Sequence, residues 1–400
     1  MSLTDRRRSA TRAGCLALAL ALLLLLAPVR ASAVAPYTGV DTWYGFGANI
    51  NEQTVVQLTD AIVDRGLRAA GYRYVWLDAG WWYGARDPSG RIVLDPQQWP
   101  HGMVWLTRYI HSRGLRAGMY TDLGVAACHN GGSLGHFQQD IDTFAAWGFD
   151  AVKGDFCGAY ALNLNPRTEF AAFARDIRND RPHRRMILNV AKADTWSKNH
   201  AYTAMDDWAW APRIAASWRT WDDLSFPGGL TWAHVLRNID ADAQHPEAAG
   251  HGHWNDPDYL APALLPPTQA QAQFTMWAIL AAPLMVSANI GELPPSMIAM
   301  ITNRSAIAIS QDRLGRQGTP VARRGDVQVW SKPLAGGDRA VALLNRGTNP
   351  ASITFTGHTI GLGGHRFLVH DIWAGRRHRV SRLHFSVRPT SALLLRISPA

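Results

Sequence analysis

Five short segments of this 400-residue chain place carboxylates directly after apolar runs. Asp78 ends Tyr-Val-Trp-Leu-Asp, Tyr120 and Asp122 follow Ala-Gly-Met, and Lys153 and Asp155 share Val-Lys-Gly-Asp-Phe-Cys. Arg219 and Asp223 fall in Ser-Trp-Arg-Thr-Trp-Asp-Asp, and Asp256 and Asp258 in Trp-Asn-Asp-Pro-Asp. Trp43, Trp76, Trp81, Trp82, Trp218, Trp221 and Trp254 interleave with them. The chain holds 17 Trp, about three times average usage, and 15 of them lie between Trp43 and Trp277. Flat amphipathic rings stack on the apolar face of a sugar while carboxylates accept its hydroxyl hydrogens, and two carboxylates flanking one bond are what glycosidic cleavage needs.

Carboxylates on successive strand ends share one rim only if the strands are parallel and the connections regular. From Asn51 to about Gln311 helical periods alternate with short apolar runs. Helices are predicted over Gln53–Ala70, Val104–Arg113, Phe137–Trp147, Glu169–Asn179, Ala270–Ala281 and Pro295–Ile301. Strands are predicted over Tyr72–Leu77, Arg116–Tyr120, Ala151–Gly154, Met186–Val190, Ser217–Thr220, Gly252–Trp254 and Leu284–Ala288. Seven or eight such units with short connections match a closed (β/α)8 TIM barrel over residues 34–315. After Gly315 six short alternating runs separated by turn residues predict a C-terminal antiparallel β-sandwich domain over 316–400. The fold class is therefore α/β, a barrel followed by a sandwich.

Residues 1–33 read as an export signal: Arg6, Arg7, Arg8 and Arg12, an apolar run from Leu16 to Pro28, then Ala31-Ser32-Ala33. The run is short and N-terminal for a membrane span, with an uncleaved anchor the alternative, so the mature chain is expected to be secreted, with no stable membrane association. Removing the signal lowers the formal net charge from +9 to +5. That balance is mild and no Lys/Arg run reads as a phosphate-tracking stripe, so a nucleic-acid partner is not expected. Cys128 and Cys157 remain after cleavage; in an exported chain they form either one disulfide or two buried thiols.

The span from Gly39 to about Gly315 resembles the catalytic barrel of glycoside hydrolase family 27, the α-galactosidase or melibiase family, followed by that family's usual β domain. The likeness rests on six ordered blocks, among them Gly-Tyr-Arg-Tyr-Val-Trp-Leu-Asp, Gly-Leu-Arg-Ala-Gly-Met-Tyr-Thr-Asp, Trp-Gly-Phe-Asp-Ala-Val-Lys-Gly-Asp-Phe-Cys, Ser-Trp-Arg-Thr and Trp-Asn-Asp-Pro-Asp. It implies a retaining mechanism in which Asp155 is the nucleophile and Asp223 the acid/base, with Asp222 a rival for the second role. Lys153 lies two positions before Asp155, on the same side of the strand, where a cation keeps a carboxylate ionised. Trp43, Asp78, Tyr120, Lys153, Arg219 and Asp258 match the family's substrate contacts, and Cys128 and Cys157 fall where it places a disulfide. No metal and no cofactor is implied.

Three departures bear on the sugar. The family's second Asp after the strand that ends at Asp78 is Ala79 here, and a lost carboxylate partner costs on the order of 1 to 3 kcal/mol of recognition. The loop after Asn189 runs through Ala191-Lys192-Ala193-Asp194 and lacks the family's Cys-Glu-Trp-type segment. His251 and His253 stand near the expected rim, where with Asp256 and Asp258 they match metal-ligand types only weakly. The expected function is a secreted exo-acting α-glycosidase on an oligo- or polysaccharide, α-galactosidase first. The alternatives are an isomaltodextran-type α-glucan hydrolase, a β-L-arabinopyranosidase, or a non-catalytic carbohydrate-binding relative, which would lack Asp155 or Asp223.

Overall fold

Eight parallel strands carry the rim. They are β1 (Thr38–Asp41), β2 (Tyr74–Leu77), β3 (Arg116–Asp122), β4 (Ala151–Asp155), β5 (Ile187–Ala191), β6 (Ser217–Arg219), β7 (Trp254–Asp256) and β8 (Leu284–Ser287), paired in the order β8-β1-β2-β3-β4-β5-β6-β7. The computed structural model describes residues 35–192, 206–225 and 229–400, so the expected signal at 1–33 and the loop residues Ala193 and Asp194 lie outside the described residues. Between β7 and β8 the chain leaving β7 makes the contact: Leu260 bridges Val286, donating to the Met285 carbonyl and accepting from the Ser287 amide. The curled sheet is thus a TIM-type barrel followed by an antiparallel β-sandwich.

Strands covered on both faces read as continuous apolar runs, and Tyr74-Val75-Trp76-Leu77 is buried at every position. The helices that cover them are α1 (Glu52–Asp64), α2 (Gly102–Ser112), α3 (Phe137–Trp147), α4 (Pro166–Arg178), α5 (Trp232–Asp242), α6 (Pro267–Leu280), α7 (Pro295–Ile301) and α8 (Arg304–Ser310). The single helix predicted over 53–70 is two: α1 starts where the Asn51 side chain caps the Thr54 amide and ends before Gly66, whose φ of +83° stops the helix, and a short turn resumes at Leu67. Helices α5 and α8 and strand β1 are not among the predicted elements. Thr-Gly-Val-Asp is short and carries two poor strand formers, and it is a strand because both neighbours pair with it.

Beyond α8 the chain forms a six-stranded antiparallel sheet from β9 (Thr319–Arg324), β10 (Val327–Pro333), β11 (Arg339–Asn345), β13 (Phe367–Asp371), β14 (Arg376–Val380) and β16 (Ser391–Pro399), ordered β9-β10-β11-β16-β13-β14. Strands β12 (Ala351–Phe355) and β15 (Leu383–Val387) pair with each other as the facing layer. Alternation along β11 divides its side chains: Val341 and Leu343 enter the sandwich core, whereas Ala340, Ala342 and Leu344 join the barrel core. Helix α6 lies in that seam. A helix apolar on all sides must be buried on all sides, and every residue from Gln273 to Leu280 is. Trp373 closes the seam, its ring edge-on to Phe274 and its indole N–H donated to Thr275 at 2.9 Å. Among the described residues no helix is long and apolar enough to cross a membrane.

Candidate active site

The ends of β1, β2, β3, β4, β6 and β7 bring their polar residues to one rim of the barrel. Asp78 follows β2, buried, and its carboxylate is fully engaged: Oδ2 takes Lys153 Nζ and the Tyr259 hydroxyl, each at 2.8 Å, and Oδ1 takes the Ala79 amide. Burial alone would raise the Asp78 pKa, but the Lys153 ammonium and these donors outweigh it and hold it below the usual value. Asp41, at the end of β1, has the opposite fate. Burial first, and the Asp78 charge second, push its pKa well up.

Asp155 ends β4, two residues beyond Lys153. Its Oδ1 accepts the Phe156 amide at 2.8 Å, and its carboxyl is pushed up to about 6, first by burial, against the pull of Lys153 and with a further push from Asp223. The buried Tyr120 hydroxyl, on the neighbouring strand, finds no hydrogen-bond partner among the described residues, and burial, then the Asp155 charge, raise its pKa. A buried hydroxyl left in that state points to a ligand that satisfies it.

Arg219 ends β6 and is 2% exposed. Its guanidinium forks, Nη1 to Asp223 and Nη2 to Asp258, both at 2.5 Å. Asp258 is itself gripped by the Tyr44 hydroxyl and the Leu224 amide at 2.7 Å each, and it holds a left-handed backbone at φ +83°, a conformation that costs a non-glycine residue and clusters at working sites. The Asp223 side chain remains 40% exposed beside Arg219. Asp222, by contrast, is buried, and its backbone carbonyl is fixed by Asn238. Trp43 stands half-buried at the rim, tilted against His129 with ring centres 5.9 Å apart.

Cys128 and Cys157 are joined in a disulfide, tying the hairpin that carries His129 to the segment that follows Asp155. Asp122 supports the same corner, accepting the Gly124 amide at 2.6 Å and the Gly158 amide at 3.2 Å. Burial, then the Asp155 charge, push its carboxyl up to about 7. The expected substrate-contact residues Trp43, Asp78, Tyr120, Lys153, Arg219 and Asp258 thus converge with Asp155 and Asp223. His251 and His253 do not join them. His251 hydrogen-bonds the Arg313 carbonyl and His253 stacks near Trp218, and among the described residues neither belongs to a cluster of metal-ligating atoms.

Sequence reasoning missed Tyr259, Tyr44 and Asp41. The Tyr259 ring lies between two cations, 4.9 Å from Lys153 Nζ and 5.3 Å from the Arg219 guanidinium, while its hydroxyl reaches Asp78. Its position directly after Asp258 was the one available signal.

Residues 39–312 match the family described as alpha galactosidase A, and residues 324–397 match the alpha galactosidase C-terminal beta sandwich domain. This chain belongs to glycoside hydrolase family 27, the melibiases. Among other melibiases, α-galactosidase A of Cellvibrio japonicus is 32% identical over 404 residues, covering 94% of this chain and 96% of that one. α-Galactosidase 3 of Arabidopsis thaliana is 34% identical over 345 residues, covering 84% and 75%. The crystal structure of α-galactosidase I from Mortierella vinacea superimposes with a TM-score of 0.81 at 25% identity, covering 93% of this chain and 99% of that one. A β-L-arabinopyranosidase from Geobacillus stearothermophilus shares the fold, with a TM-score of 0.80 at 20% identity over 92% and 97% of the two chains. As a melibiase this chain is a glycoside hydrolase.

Proposed function

We propose that this melibiase is a secreted, exo-acting, retaining α-glycosidase whose first substrate is a terminal α-galactosyl residue of an oligo- or polysaccharide. What supports the reading is that Asp155 ends β4 and Asp223, paired with Arg219, follows β6 at the same rim, with the Tyr120 hydroxyl unpartnered among the described residues. Asp155 attacks the anomeric carbon as an ionised carboxylate. Asp223, held by Arg219, protonates the departing oxygen and then takes a proton from the water that opens the glycosyl ester. Lys153, Asp78 and Tyr259 form a closed charge network against which sugar hydroxyls are read, and Trp43 offers a ring face.

Ala79 is the observation that favours a second sugar. It is buried, its amide donates to Asp78, and it brings no acceptor of its own. A galactoside therefore loses one carboxylate contact, and an α-glucoside or a β-L-arabinopyranoside becomes the competing substrate. Release rates from aryl α-galactoside, α-glucoside, α-N-acetylgalactosaminide and β-L-arabinopyranoside decide this, with the first product's anomer read by NMR. The reading expects fastest release from the α-galactoside with retained configuration. An inverted product, or no hydrolysis of any of the four by folded protein, contradicts it.

A further inference from the structure

The mild charge of the whole chain conceals an opposed division. Residues 34–315 carry 22 Lys/Arg against 27 Asp/Glu, a balance of −5, whereas residues 316–400 carry 13 against 3, a balance of +10. Charge of this density on a small domain sets what it attracts.

The excess is gathered, not spread. Strand β14 is the free edge of the six-stranded sheet, and Arg376, Arg377, His378 and Arg379 along it are all exposed. Arg366 and Arg382 flank it, and among the described residues none of these five arginines forms an ion pair. On the sheet face turned from the sandwich core, Arg377 stands opposite His370 and His370 opposite Arg396, three basic side chains in one row across three strands. Burial, then the Arg377 charge, hold His370 below its ordinary value, so the row sets two guanidinium charges on either side of an imidazole. Asp338 balances one member, at 2.6 Å from Arg396. Arg304 of α8 and Asp312 supply the far wall, and the open cavity between them measures about 460 Å³.

We propose that this cavity and the arginine edge beside it bind an anionic polysaccharide bearing uronate carboxylates, and so hold the catalytic barrel on a polymer. A guanidinium fork matches a planar carboxylate with two parallel hydrogen bonds, and a row of such forks matches carboxylates repeated along a chain. The one aromatic ring lining the cavity is the His370 imidazole, and no Phe, Tyr or Trp offers the succession of ring faces on which nucleobases stack. The edge carries no exposed large apolar side chain with which to enter a lipid surface. The inference is independent of which sugar the barrel cleaves, because Arg377 and Arg304 take no part in the rim described above.

The test is titration of the full-length protein with sodium polygalacturonate and with the same polymer fully methyl-esterified, in low and high salt. Binding is expected to the charged polymer alone and to weaken with salt. Arg377→Glu is expected to weaken it about tenfold, and Arg377→Gln to a lesser degree, while aryl glycoside hydrolysis stays at the wild-type rate. The glutamine variant keeps the test open if the charge reversal impairs folding. Equal affinity for the esterified polymer, unchanged affinity in both variants, or tighter binding to duplex DNA or to phosphatidylglycerol vesicles than to polygalacturonate would overturn the proposal.

Discussion

The ammonium of Lys153 lies 2.8 Å from Asp78, although Asp155 is its neighbour two residues along the same strand. The consequence is a division of labour between two carboxylates. Asp78 is neutralised at contact distance and stays ionised, while Asp155 feels Lys153 only at longer range and keeps a raised pKa. A carboxylate that is ionised near neutrality yet not locked in an ion pair is the better nucleophile.

The pH dependence follows from that difference. Asp155 must be ionised to attack, and burial raises it from 3.8 to about 6, so kcat/KM should fall as pH drops through about 6. An acid limb near 4 would show that Asp155 is not the controlling group. The stability effect has the opposite sense. The folded state holds this proton more tightly than the unfolded state, so between pH 4 and 6 the group makes folding less favourable as pH rises.

Asp223 and Asp222 are separated by their surroundings. Asp223→Asn should lose about 10²- to 10⁴-fold in turnover of substrates with poor leaving groups; with activated aryl leaving groups kcat/KM should be spared while kcat falls, because the same group activates water, and azide should partly restore that kcat. Asp222→Asn should show no azide rescue, because the Asp222 side chain is buried whereas Asp223 is 40% exposed and paired with Arg219. Rescue of the Asp222 variant in place of the Asp223 variant would exchange the two assignments.

The disulfide closes a loop between residues 29 apart, and chain entropy makes such a closure worth about 3 kcal/mol. A Cys128→Ala, Cys157→Ala double variant should therefore melt at a lower temperature and lose activity more than folded fraction, since the bond ties down the segment after Asp155. An unchanged melting temperature and rate would mean that the surrounding packing, Asp122 included, holds this corner alone.

Much of this site was legible because its residues end strands with strong apolar signals. Tyr-Val-Trp-Leu before Asp78 and Ala-Val-Lys-Gly before Asp155 announce buried parallel strands, and the rim position of the carboxylates then follows. What stayed hidden depends on contacts remote in sequence. Tyr259 meets Asp78 across 181 residues, and Tyr44 meets Asp258 across 214, pairings that no local pattern encodes. Strand β1 was missed because its conformation is imposed by its partners, and Asp41 was missed with it. The basic edge was concealed differently: averaging over the chain cancelled a positive sandwich against a negative barrel.

The central claim is that Asp155 is the nucleophile, and its most direct test is the hydrolysis rate of an aryl α-galactoside by Asp155→Asn beside the wild type. The account predicts a loss of about 10⁴-fold or more, with a melting temperature at pH 7 no lower than the wild type, because the variant removes a buried charge. A folded variant that still turns over at the wild-type rate would contradict it.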